Sequence, residues 1–134
     1  MDTDTRNAFL AEPHVAVIST LNPDNTIHAV PVWYRWDGHT FRVLTGRRSP
    51  KHRNAERTGR ATLCIDQRQG TYRYVMAEGT VTVEDIVTME QEIELWTHYM
   101  GERGPEMMKQ AGSDPKANVC LVLRPERWIA QIVL

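Results

Sequence analysis

The sequence predicts a mainly β chain, an antiparallel barrel with helices packed at its ends. Three observations carry that expectation. Runs rich in β-branched residues follow one another through short turn dipeptides. Strand and helix do not alternate in the way a parallel, doubly wound sheet requires. The chain has 134 residues, 41% hydrophobic and 25% charged, enough for one core, and residues 1–134 are read as one domain.

Residues 3–11 read as a short helix stopped before Pro13. His14–Leu21 is a strand that ends in Asn22-Pro23-Asp24-Asn25, four residues with turn chemistry. Thr26–Trp36 is the next strand. Asp37-Gly38 turns the chain, and His39–Thr45 pairs back to complete a meander. Ser49–Arg57 is a helix, with Ser49 as N-cap and Gly59 closing it. Pro50 takes the first helical position, where its missing N–H costs nothing. Arg60–Gln67 and Thr71–Val83 are strands joined at Gln69-Gly70, the second bending near Glu78-Gly79. Asp85 is expected to cap a helix whose Ile86, Met89, Ile93, Trp96 and Met100 form one apolar stripe toward the core, ended by Gly101. Glu90, Glu92 and Glu94 then fall on its solvent face. Arg103–Gly112 reads as a loop with one helical turn. Asn118–Arg124 is a strand, and Trp128–Leu134 continues or pairs with it after a break at Pro125.

The net charge of −1 names no partner, but the charges are segregated. Arg42, Arg47, Arg48, Lys51, Arg53, Arg57 and Arg60 are opposed locally only by Glu56, whereas residues 78–106 are acidic with only Arg103 against them. A basic run is read either as a solvated helix face or as an anion site. Position separates the two. Arg47, Arg48 and Lys51 stand at a helix N-terminus, where cations oppose the helix dipole and backbone N–H groups lack partners. A phosphate held by those N–H groups, the Ser49 hydroxyl and the cationic heads resolves the conflict.

Other chemistries lack their signatures. GxxxxGK[ST], GxGxxG and GxSxG are absent, and the 5 histidines show neither HxxxH nor HExxH spacing, so no metal site is expected. Residues 42–60 contain no aromatic on which bases could stack, so nucleic acid is not an expected partner. Cys64 and Cys120 lie among apolar neighbours without CxxC spacing and read as buried, reduced strand thiols. No run is long and apolar enough to span a bilayer, and the N-terminus lacks the pattern of a signal peptide, so a cytoplasmic location is expected. Pro31 removes a ladder donor and belongs at a sheet edge or a bulge.

Taken together, TLNPDNTIHAVPVWY (20–34), Asp37-Gly38, Phe41 and TGRRSPKHRN (45–54) resemble the pyridoxamine 5′-phosphate oxidase-like split β-barrel superfamily. More narrowly, they resemble its flavin/deazaflavin oxidoreductase branch, whose members use coenzyme F420. The resemblance runs over nearly the whole chain. It implies an FMN-binding split-barrel type of fold and a homodimer with cofactors in clefts at the subunit interface. Ser49 and Lys51, with Arg47 and Arg48, would hold the cofactor phosphate. Val30, Pro31, Val32 and Trp33 would lie along the tricyclic ring, and Thr45 and Gly46 would line the cleft. Asn54 and Trp128 complete the candidate set, Trp128 covering the ring from the opposite subunit. The implied activity is hydride transfer between a reduced deazaflavin and a small conjugated substrate, with no catalytic side chain assigned. The alternatives are an FMN-dependent oxidase or reductase of the same fold and a non-catalytic cofactor carrier. The biosynthetic oxidase's C-terminal extension has no counterpart in this sequence, so vitamin B6 oxidation is not expected.

Overall fold

Every strand pairing in this computed structural model, which describes residues 1–133, is antiparallel. The strands are β1 (Ala16–Leu21), β2 (Ile27–Val32), β3 (Arg35–Trp36), β4 (Phe41–Gly46), β5 (Arg60–Gln67), β6 (Tyr72–Glu84) and β7 (Asn118–Val133). The helices are α1 (Thr3–Leu10), α2 (Pro50–Thr58), α3 (Met89–Met100) and α4 (Gly104–Gln110). None is long and apolar enough to cross a membrane.

The sheet order is β2-β1-β5-β6-β7-β4-β3. Its two edge strands, β2 and β3, are consecutive in the chain and separated only by Trp33 and Tyr34. Three Cα–Cα steps span at most about 11 Å. The edges must therefore approach one another, and the sheet curls into a barrel that stays open along this seam. The expected barrel is confirmed, and connectivity alone dictates its curvature.

Inside the curl, alternate residues of the strands interlock: Ile18 on β1, Leu63 and Ile65 on β5, Val75 and Ala77 on β6, Val119, Leu121 and Leu123 on β7. Phe9 and Leu10 of α1 close one end. Each large apolar side chain so buried contributes about 1.5–3 kcal/mol. The bend expected at Glu78-Gly79 is a register shift in the β6–β7 ladder, where Glu78 faces Arg127 and Gly79 faces Pro125. A Cβ on Gly79 would lie 1.9 Å from the Arg124 carbonyl oxygen, so only glycine fits.

Several sequence expectations are corrected. Pro125 does not break the last strand: β7 runs through it to Val133, with Pro125 opposite Gly79 and the next residue, Glu126, left unpaired at the bulge. Leu134, included in the expected strand, lies outside the described residues. Thr26–Trp36 is not one strand but β2 and β3, divided at the seam. Pro31 sits in regular register opposite Val17 on the edge strand β2, so the edge expectation holds and the bulge does not. Residues 104–110 form a full helix, α4. Cys64 is exposed, and only Cys120 is buried.

The largest correction concerns α3. It begins at Met89 behind Thr88, whose hydroxyl and Gln91 form a capping box, rather than at Asp85. Its apolar stripe is turned away from the core: Ile86 is 79% exposed, Met89 52% and Met100 39%. The buried face carries Glu92 and Leu95.

Candidate functional site

The turn between β4 and α2 is built from local chemistry. Ser49 N–H donates to the Gly46 carbonyl at 3.1 Å, and Ser49 Oγ accepts from His52 N–H at 3.3 Å. Ser49 is therefore the N-cap, Pro50 enters the helix behind it, and Gly59 ends it at φ 66°. The left-handed residue of the turn is Arg48, at φ 70°, not Gly46. Arg48 N–H donates to His52 Nδ1 at 2.9 Å, and Arg53 Nε donates to the Arg48 carbonyl at 2.9 Å. These bonds hold a conformation that costs a non-glycine residue about 1–2 kcal/mol. His52 Nε2 lies 3.1 Å from Glu56 Oε1 but off the line of a hydrogen bond.

The basic run divides when its partners are traced. The Arg47 guanidinium donates to the carbonyls of Asp85, at 2.8 Å, and Asn118, at 3.2 Å. Arg42 pairs with Glu84 at 2.7 Å, and Arg60 with Glu126 at 2.9 Å. Arg57 reaches Asn54 Oδ1 and the Leu21 carbonyl. Arg48 and Lys51 have no acceptor for their cationic heads among the described residues. Lys51 is half-buried, and desolvation alone pushes its ammonium below the ordinary lysine value.

Lys51 borders an open cavity of about 320 Å³ together with Pro31, Val32, Trp33, Thr45 and Gly46. All six were singled out in the sequence. Of the remaining candidates, Ser49 caps α2 with Thr45 Oγ1 3.4 Å from its Oγ, and Arg48 lies exposed in the same turn. Val30 packs inward against the core. Asn54 is 2% exposed and spent on structure: Nδ2 donates to Thr20 Oγ1 at 3.1 Å and Asn22 Oδ1 at 2.9 Å, tying α2 to β1. Trp128 packs edge-on to Trp36, with the Arg6 guanidinium 3.9 Å over its ring, away from this cavity.

The rest of the lining comes from residues that sequence reasoning missed: Leu44, Glu92, Leu95, Trp96, Ser113 and Asn118. Glu92 is 2% exposed, with Asn118 Nδ2 donating to Oε1 and Ser113 Oγ donating to Oε2 at 2.9 Å. Tyr99 organises the seam. Its hydroxyl donates to the His14 carbonyl at 2.6 Å and accepts from Tyr34 N–H at 3.0 Å. Burial pushes that hydroxyl up to about 12. The Trp33 ring stacks on Tyr99 at 4.5 Å and meets Trp96 edge-on at 5.0 Å. α3 therefore holds Trp33 at the cavity wall. The signal was present as tyrosine one turn after tryptophan, but only the curled sheet brings them to residue 33.

A second open groove of about 330 Å³ runs over β1 and β5. Its cation, Arg60, is already paired with Glu78 and Glu126, so it presents no unbalanced charge. The Lys51 cavity brings together a helix N-terminus, the Thr45 hydroxyl, a lysine without a bonded partner among the described residues, two indoles and the buried Glu92 carboxylate.

Comparison with known proteins agrees with this fold. The sequence profile described as pyridoxamine 5′-phosphate oxidase matches residues 3–132. An F420H(2)-dependent biliverdin reductase of Mycobacterium tuberculosis (strain CDC 1551 / Oshkosh) is 37% identical over 95 residues, 69% of this chain and 67% of that protein. Among solved structures, one described as an F420 reductase superposes with a TM-score of 0.77 at 22% identity, covering 92% of this chain and 94% of that one. A conserved hypothetical protein from Mycobacterium tuberculosis gives 0.80 at 20% identity, covering 98% and 85%. Likeness at such identity speaks for the fold.

Proposed function

The chain belongs to the pyridoxamine 5′-phosphate oxidase family, and on that premise we propose that it is an F420-dependent oxidoreductase acting on a small conjugated molecule. The observation that carries the reading is Lys51: a half-buried cation at the N-terminus of α2, without a protein anion, on the wall of a cavity. A cofactor phosphate supplies the missing charge beside the positive end of α2; the expected backbone donors are not free, because the N–H groups of Arg47, Arg48, Ser49 and His52 already bond Ala117, His52, Gly46 and Ser49. The residues fit such a group. Lys51, Ser49 and Arg48 would hold the phosphate beside Thr45 and Gly46, while Arg47 and Asn54 brace the turn and α2 through their own bonds.

When bound, a reduced deazaflavin supplies a hydride from C5. The chain's part is to orient and to exclude water. Pro31, Val32, Trp33, Leu95 and Trp96 give apolar surface on which a tricyclic ring could lie. The deazaflavin is preferred over FMN because the 37% identical relative is named for F420H(2). That relative's name also makes biliverdin the first substrate to try.

Homodimerisation belongs to the same reading. The ladder registers align Pro31, Val17, Cys64, Met76 and Ile129 in one row across five strands on the outer face of the sheet. Val17 is 40% exposed and Ile129 44%. An apolar row that ends at Pro31, itself on the cavity wall, suits a second copy that covers the sheet and completes the site.

The test is a side-by-side titration with F420 and FMN, followed by mixing with reduced F420 and biliverdin. Tighter binding of F420 and loss of its reduced form on adding biliverdin are expected. Preference for FMN moves the chemistry to a flavin enzyme; binding of neither overturns the reading.

A further inference from the structure

Glu92 is the only buried carboxylate among the described residues. Burying a carboxylate is costly unless donors satisfy it. Two do so here, Asn118 Nδ2 on Oε1 and Ser113 Oγ on Oε2. A carboxylate has about four acceptor sites, so capacity remains. Glu92 makes no ion pair among the described residues, and the cavity is the open space it borders. Leu95 and Trp96 follow it at three and four residues along α3, so the carboxylate adjoins the apolar wall. Lys51 borders the same cavity from α2. The site thus has one cationic and one anionic flank.

We propose that Glu92 accepts the imide N–H of the bound ring and, with Lys51, sets which way round the cofactor lies. This rests on the flavin-type reading above. Such a ring presents an acceptor–donor–acceptor edge, N3–H between two carbonyls. An apolar wall would leave that donor unsatisfied. Glu92 supplies the acceptor, and Asn118 Nδ2, which gives one N–H to Glu92, keeps a second for a flanking carbonyl. The same negative charge repels the phosphate, which is left to Lys51 at the α2 end.

The experiment is a cycle of ligand and protein changes read as binding affinity. Wild-type protein and Glu92→Met are titrated with FMN and its N3-methyl derivative, and with 8-hydroxy-5-deazariboflavin and its N3-methyl derivative. The expected result is at least about tenfold weaker binding of the N3-methyl compounds to wild type, with that penalty shrinking below about twofold in the variant. An equal penalty in both proteins overturns the assignment, because a carboxylate that only braced Ser113 and Asn118 would weaken both ligands alike. Should Glu92→Met fail to fold, Glu92→Gln provides the same readout with a smaller shrinkage. If wild type binds neither parent compound nor F420 itself, the cofactor reading falls. If it binds parent and N3-methyl derivative equally, only the role of Glu92 falls.

Discussion

Helices α2 and α3 both border the cavity, and each brings one charged side chain to it by different means. α2 is defined by its ends. Ser49 caps it, Pro50 starts it, Gly59 stops it, and Lys51 stands in its first turn because the cap places it there. α3 is defined by its face. Glu92, Leu95, Trp96 and Tyr99 turn toward the protein, although Ile86, Met89, Ile93 and Met100, the other members of the apolar series, are exposed. A helix end is set by a few neighbouring residues. A helix face is chosen by whatever packs on it, here the seam at Trp33-Tyr34 and the polar pair Ser113 and Asn118.

Substitutions that hit an end or a face separate the two. Lys51→Glu should have the largest effect, lowering cofactor affinity roughly a hundredfold or more by placing like charge against the phosphate. Its thermal unfolding should stay unchanged, since Lys51 has no protein partner to lose; calorimetric titration and a melting curve check both halves. Next comes Tyr99→Phe, which leaves the Tyr34 N–H without its acceptor and should cost about 1–3 kcal/mol in a urea titration. A neutral result would mean that α3 does not hold the seam. Ser49→Ala should cost about 1 kcal/mol by removing the cap, read by the same titration.

Smaller still is the alkaline behaviour of Lys51, whose ammonium burial holds below 10.5. Between the depressed value and 10.5 the unfolded chain keeps a proton that the folded chain has lost. Stability of the ligand-free protein therefore rises with pH across that window, while phosphate affinity falls as the amine loses its charge. Both slopes should vanish in Lys51→Met; slopes that persist belong to another group. Ile93→Asp should change monomer stability by no more than about 0.5 kcal/mol, because Ile93 is 36% exposed. A loss several times larger, dependent on protein concentration, would show that a second copy covers the stripe.

The candidate site was legible in part. Pro31, Val32, Trp33, Thr45, Gly46 and Lys51 meet at one cavity, as their motifs imply. Arg47 and Asn54 read equally well as ligands, yet their side chains are committed to Asp85, Asn118, Thr20 and Asn22, partners that no spacing rule links to them. Glu92 was read, with Glu90 and Glu94, as lying on the solvent face of a helix whose apolar stripe was expected to face the core. It is buried because Ser113 and Asn118, more than twenty positions away, reach its two oxygens.

What the sequence by itself determined is therefore local or nearly so: the turns, the caps of α2, the run of strands through hairpins, the bend at Gly79, and the turn at 46–51. Each depends on backbone freedom or hydrogen bonding within a few residues, and such preferences act before the chain is folded. Only the tertiary structure decided where the edges of the sheet meet, which face of α3 is buried, and which cations remain unpaired. Those outcomes follow from long-range packing, in which a side chain's partner is whatever the curled sheet brings within reach.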